Sequence, residues 1–153
     1  MSPLSSSLCM ERTLILLKPD AINKKLCGKV IARFEEAGFV IRGCKMIQLE
    51  PKILAEHYAH IADKPFYPEV EKFMSSTPVI AMVLEGKDII NKMREMLGVT
   101  DCLQAAPGTI RAELGSKEEG KSKMVNIAHA SDSPEAADAE IRRFFSEDEL
   151  FEY

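Results

Sequence analysis

The sequence predicts an α+β fold, a ferredoxin-like sandwich with helices on one face of a four-stranded antiparallel sheet. Three observations carry the prediction. Short apolar, β-branched runs alternate with amphipathic helical stretches in the order β-α-β-(αα)-β-α-β-α. No glycine-rich dinucleotide turn is present, and the spacing between most strands does not suit a doubly wound sheet. The 153 residues, 46% hydrophobic and 29% charged, suffice for one core of ordinary composition. We therefore expect a flexible Ser-rich leader over residues 1–10 and a single domain over 11–153.

Taken in order, Thr13-Leu-Ile-Leu-Leu17 is a buried strand, stopped by Lys18-Pro19-Asp20 because proline cannot continue a ladder. Ile22, Leu26, Val30 and Phe34 recur every four residues and predict one helix, with Gly38 at its C′ position. "FVIRGCKMIQLE" is the second strand, with Gly43 at a bulge. Pro51 opens a helical pair over 52–61 and 66–75, broken by the two prolines of "DKPFYPE". "PVIAMVLE" at 78–85 is the third strand, and the helix at 87–98 turns Ile89, Ile90, Met93 and Leu97 inward before Gly98. An irregular stretch over 99–124 follows, long enough to be functional or mobile. "KMVNIAHA" reads as the last strand, and "SPEAADAEIRRFF" as the last helix, with Ser133 as N-cap and Pro134 at N1.

Bulk properties exclude several classes. A net charge of −4 and a pI near 5.5 argue against dedicated nucleic-acid binding. No apolar run reaches membrane-spanning length, and the N-terminal residues lack the pattern of a secretory signal. Four dispersed cysteines without a C-x-x-C pair read as reduced thiols, so a cytoplasmic location is expected.

Any phosphate site must be built from side chains, because no P-loop motif exists. Lys18 ends a strand, Arg94 flanks a core-facing helix, and Thr100 and Arg111 lie in the long loop. Each alone reads as a solvated polar residue. Gathered together, they would suit a polyphosphate. His57 and His60 stand three apart on an expected helix but lack a third metal ligand, so they read as surface or half-buried histidines. His129 sits at a strand end just before a helix N-terminus, whose free N–H groups favour an anion. Glu140 lies at the edge of the inward helix face, where a carboxylate needs a partner, and an imidazole N–H would serve. At this level His129 is open between a reacting group, a metal ligand and a structural polar residue.

The stretch "NIAHASDSPEAADAEI" is similar to the active-site signature of the nucleoside diphosphate kinases, N-x-x-H-[GA]-S-D-S with a downstream Glu. The resemblance runs from Glu11 through "ERTLILLKPDAI", "GKVIARFEEAGF", "HYAHIADKPFYPEV", "PVIAMVLEG", "MLGVTD" and "PGTIRAEL", in family order. It implies ping-pong transfer of the terminal phosphate from a nucleoside triphosphate to a nucleoside diphosphate through a phosphohistidine on His129. By the same resemblance, Lys18, Tyr58, Arg94, Thr100 and Arg111 would hold the phosphates, helped by Mg2+ bound through the nucleotide rather than by protein side chains. Asn126 and Lys18 would reach the sugar hydroxyls, Phe66 would stack on the base with Val70 beside it, and Glu140 with Ser131 would orient the imidazole. The implied partners are nucleoside di- and triphosphates such as ATP and GDP, and further copies of the chain, as a hexamer first and a tetramer second.

Three departures from the family pattern stand out. Ala130 replaces a frequent glycine, Cys102 replaces a frequent loop proline, and the segment from Arg111 to Asn126 is a few residues longer than in familiar members. A catalytically silent nucleotide- or RNA-binding module is the competing reading, since this fold also hosts RNA binders. Against it, the aromatic strand motif of such binders is absent, while His129, Lys18 and Arg111 are all present.

Overall fold

The computed structural model describes residues 10–153. The expected leader therefore lies outside the described residues except for Met10, which already opens the first strand. The elements are β1 (Met10–Leu17), α1 (Pro19–Asn23), α2 (Cys27–Glu36), β2 (Val40–Ile47), α3 (Pro51–His57), α4 (Tyr67–Met74), β3 (Val79–Lys87), α5 (Ile89–Leu97), α6 (Ile110–Leu114), β4 (Ala128–Ala130) and α7 (Pro134–Phe144), followed by a 3-10 turn over Glu147–Glu149. The sheet order is β2-β3-β1-β4 with every pair antiparallel, the ferredoxin-like arrangement.

Alternation along β1 explains the layering. Ile15 and Leu17 point into one core with Val30 and Phe34 of α2 and Ile89, Met93 and Leu97 of α5. Leu14 and Leu16 point into a second core with Leu54 of α3, Val70 and Met74 of α4, and Ile141 and Phe144 of α7. The expectation of helices on one face is thus incomplete, since α3, α4 and α7 cover the opposite face. The reason is in β1 itself, whose last four residues are apolar on both sides.

Other local expectations need correction. The helix expected from Ile22 onward is two helices, interrupted where Lys25 takes φ 58°. Its C-terminus closes on Gly38, with Phe39 N–H donating to Phe34 and Gly38 N–H donating to Glu35, a Schellman pattern. The bulge falls between Ile41 and Gly43. The stretch taken as irregular contains α6, capped by Thr109 Oγ1 accepting from Ala112 N–H at 3.2 Å. The last strand is only three residues long, because Ile127 takes φ 75° and breaks the extended run just before it.

Candidate active site

His129 pairs directly with Leu16 across the β1–β4 ladder. Paired residues of an antiparallel sheet share a face, so His129 projects onto the side covered by α3 and α7. Those helices bring His57 and Glu140 to it. His129 Nε2 lies 2.9 Å from Glu140 Oε1, and Ser131 Oγ donates to the same oxygen at 2.7 Å. Ser131 is held in turn by Leu14 N–H, which donates to Oγ at 3.0 Å. Burial pushes the Glu140 carboxyl up, but the bonds from His129 and Ser131 outweigh this and leave it below the usual range. An ionised carboxylate only accepts, so Nε2 carries the proton and Nδ1 holds the lone pair.

A cavity of about 750 Å3 opens in front of this ring, ample for a nucleotide. Lys18, Tyr58, Arg94, Thr100, Arg111, Asn126, His129 and Glu140 all line it. Buried Lys18 donates to Asn126 Oδ1 at 2.8 Å and to the Met124 carbonyl at 3.0 Å, which leaves one ammonium proton for a ligand. Burial, and then the charge of Arg111, bring its pKa down to about 7. Asn126 Nδ2 donates to the Thr100 carbonyl at 3.0 Å, tying the loop after α5 to the segment before β4. The buried Tyr58 hydroxyl has no hydrogen-bond partner among the described residues, and burial raises its pKa.

Arg111 does more than its position in a loop suggested. Nε donates to Asn126, Nη1 to Gly98 and Nη2 to Ala128, each to a carbonyl, at 3.0, 2.9 and 2.6 Å. Two of its five N–H groups remain for an anion. These bonds clamp the γ-turn at Ile127, where Ala128 N–H donates to Asn126 at 2.9 Å. A β-branched residue at positive φ is strained by about 1–3 kcal/mol. Asp20 Oδ2 accepts from Ile127 N–H at 2.9 Å, and Lys18 N–H donates to the Ile127 carbonyl at 2.8 Å. The turn that delivers His129 is therefore held from both sides.

Three expected residues are not in the cavity wall, Ser131 being fully buried beside Glu140. Phe66 sits at the start of α4 with half its surface exposed, beyond the lining residues. Val70 is packed in the core beneath α4. His57 and His60 also part company, because α3 ends at His57. His57 is buried against His129, with ring centroids 4.7 Å apart, while His60 is exposed. Sequence reading missed His57, Asp20 and Met124 as site components. Only Asp20 had a local signal, as an acidic residue directly after the proline that ends β1.

His57, His129 and Glu140 place ligand-type atoms within 4.8 Å of one another. Glu140 is already engaged by His129 and Ser131, and Lys18, Arg94 and Arg111 bring three positive charges to the cavity against the carboxylates of Glu95 and Asp132. Such a set suits an anion better than a hard divalent cation, which prefers several free oxygens.

An imidazole with a carboxylate-fixed tautomer, beside a cavity lined by Lys and Arg, is the equipment of a phosphoryl-transfer site. Residues 11–150 match the family model described as nucleoside diphosphate kinase. A nucleoside diphosphate kinase of Rhodopirellula baltica is 46% identical over 144 residues, covering 94% of this chain and 91% of the relative. That of Methanothermobacter thermautotrophicus is 45% identical over 144 residues, covering 94% and 93%. Among solved structures, the Aquifex aeolicus nucleoside diphosphate kinase superposes with a TM-score of 0.84 at 44% identity, covering 94% of this chain and all of that one. A halophilic nucleoside diphosphate kinase from Halobacterium salinarum, in complex with CDP, gives 0.86 at 37%, covering 95% and 93%. The chain belongs to the nucleoside diphosphate kinase family and is an enzyme that transfers phosphate between nucleotides.

Proposed function

We propose that His129 carries the phosphate between two half-reactions. The Nδ1 lone pair attacks the γ-phosphorus of a nucleoside triphosphate, the bond to the bridging oxygen breaks, and the nucleoside diphosphate leaves with those electrons. A second nucleoside diphosphate then attacks the phosphorus of the N–P bond through its terminal oxygen and leaves as a triphosphate. The observation that carries this reading is the 2.9 Å contact of Nε2 with Glu140, which frees Nδ1 and balances the positive ring formed on attack. Ser131 acts by holding Glu140. Lys18, Tyr58, Arg94, Thr100 and Arg111 would position the phosphates around the reacting centre, and Phe66 would offer its exposed ring to the base from outside the cavity. Asn126 would keep Lys18 aimed and reach the sugar. The nucleotide enters as its Mg2+ complex, in which the ion neutralises phosphate charge.

The homo-oligomer, with a hexamer as first choice and a tetramer as second, is supported by exposed Val99 and Leu103 on the loop after α5 and by exposed Met46 on the edge strand β2. The described cysteines Cys27, Cys44 and Cys102 are free thiols, in keeping with a cytoplasmic location. No observation favours the silent binding module. The test is incubation with γ-labelled ATP. An acid-labile, base-stable label should form and pass to added GDP, and His129→Gln should abolish both. A variant that still transfers at the parent's rate would refute the assignment.

A further inference from the structure

Three imidazoles line the cavity, and two of them, His57 and His129, stand ring against ring, so that only one of that pair can be the phosphate acceptor. Their partners distinguish them. His129 faces a carboxylate, whereas His57 Nδ1 lies 3.0 Å from Arg143 Nη1. A guanidinium has no lone pair to offer, so it donates and Nδ1 accepts. The proton of a neutral His57 must then sit on Nε2, and neither nitrogen keeps a free lone pair.

Arg143 gains little stability from this arrangement. Among the described residues its Nε is buried without a hydrogen-bond partner, and the carboxylate of Glu56 lies 3.7 Å away. A guanidinium left half-satisfied at the back of a reacting centre calls for a functional reason. His57 stands edge-on to His129 at an interplanar angle of 78°, and packs similarly on Tyr58 and Phe144. A change in its tautomer is felt at once by the reacting ring.

We infer that Arg143 is a positioning residue that decides which of two neighbouring imidazoles reacts. By capping Nδ1 of His57 it denies that ring a lone pair and leaves His129 the acceptor of the pair. The titratable and charged groups facing His57 are His129 and Glu140 across the cavity wall, Arg143 on α7 and Lys18 after β1, with Glu56 of its own helix turned to Arg143. Burial first, then His129, bring the pKa of His57 down to about 3, so it stays neutral at working pH. This rests on His129 being the phosphate carrier.

The experiment is done on the full-length chain with isotope-labelled histidine, its three histidines being few enough to assign. The parent should show His57 as the Nε2–H tautomer by long-range proton–nitrogen correlation. Arg143→Met should lose that signature and lower kcat by about tenfold with KM little changed, the loss expected for one misdirected hydrogen bond. Arg143→Lys, which keeps a donor, should restore both, and Glu56→Gln should change neither. Parent-like kcat in Arg143→Met, a loss with the tautomer unchanged, or an equal loss in Glu56→Gln overturns the inference. If Arg143→Met does not fold, the parent spectrum decides, because an Nδ1–H or mixed His57 overturns it equally. A parent that forms no phosphohistidine refutes the carrier reading itself, whereas a labelled parent with a kinetically silent Arg143→Met sinks only the present inference.

Discussion

Glu140→Ala tests the hydrogen-bond logic of the site most directly. The substitution removes one oxygen that receives two bonds, from His129 Nε2 at 2.9 Å and Ser131 Oγ at 2.7 Å. The side chains of His129 and Glu140 are only 19% and 14% exposed, so water replaces the lost acceptor poorly. A hydrogen bond to a charged group contributes about 1.5–3 kcal/mol. As Nδ1 bonds to phosphorus the ring becomes cationic, so this contribution is larger in the transition state than in the resting enzyme. At about 1.4 kcal/mol per factor of ten, phosphorylation of His129 should slow by roughly 10- to 150-fold. The assay is single-turnover phosphorylation by rapid quench, followed against ATP concentration. The limiting rate should fall while the half-saturating concentration holds, because Lys18, Arg94 and Arg111 are untouched. Glu140→Gln, which keeps an acceptor oxygen without the charge, should fall between. A limiting rate within about twofold of the parent, or a loss confined to half-saturation, would refute the orienting role.

Two other consequences can be measured directly. Lys18 has a pKa lowered to about 7, and an arriving polyphosphate favours its charged form. Nucleotide binding between that pH and the ordinary lysine range should therefore take up a proton, seen as a dependence of the calorimetric heat on buffer ionisation enthalpy. Lys18→Met should abolish the dependence, and a heat independent of buffer in the parent would count against it. The same shift has a sign for stability: the unfolded chain binds the extra proton in that window, so the Lys18 contribution grows more favourable as pH rises from about 7 toward 10.5. At Gly115, an added Cβ would run into Cys102 Sγ and the Arg111 carbonyl. Gly115→Ala should cost about 1–3 kcal/mol, and lower activity by displacing Arg111; an unshifted thermal midpoint would show that the loop yields freely.

Much of the fold was legible because its signals are local. The strand around Leu14–Leu17, the caps at Gly38 and Ser133, and the proline breaks each follow from a few neighbouring residues. What escaped was set by distant partners. The helix after β1 splits because α1 is tied to the Ile127 turn through Lys18 and Asp20, while α2 must lay Val30 and Phe34 on the sheet. The last strand shortens because Arg111 and Asp20 bond the backbone that would have extended it. Propensity alone cannot foresee a β-branched residue at positive φ, since only such clamping pays for it.

By itself the sequence determined the kind of chemistry. The signature around His129, the inward Glu140 and the scattered Lys18, Arg94 and Arg111 were readable as residue types at family spacing. Tertiary structure alone decided how those groups are employed. It made Arg111 a backbone clamp as well as a cavity cation, packed Val70 in the core, and paired His57 with Arg143 across 86 residues of sequence. The physical reason is that a hydrogen bond of 3 Å is decided by sheet register and helix docking. Neither is written in any short stretch of chain.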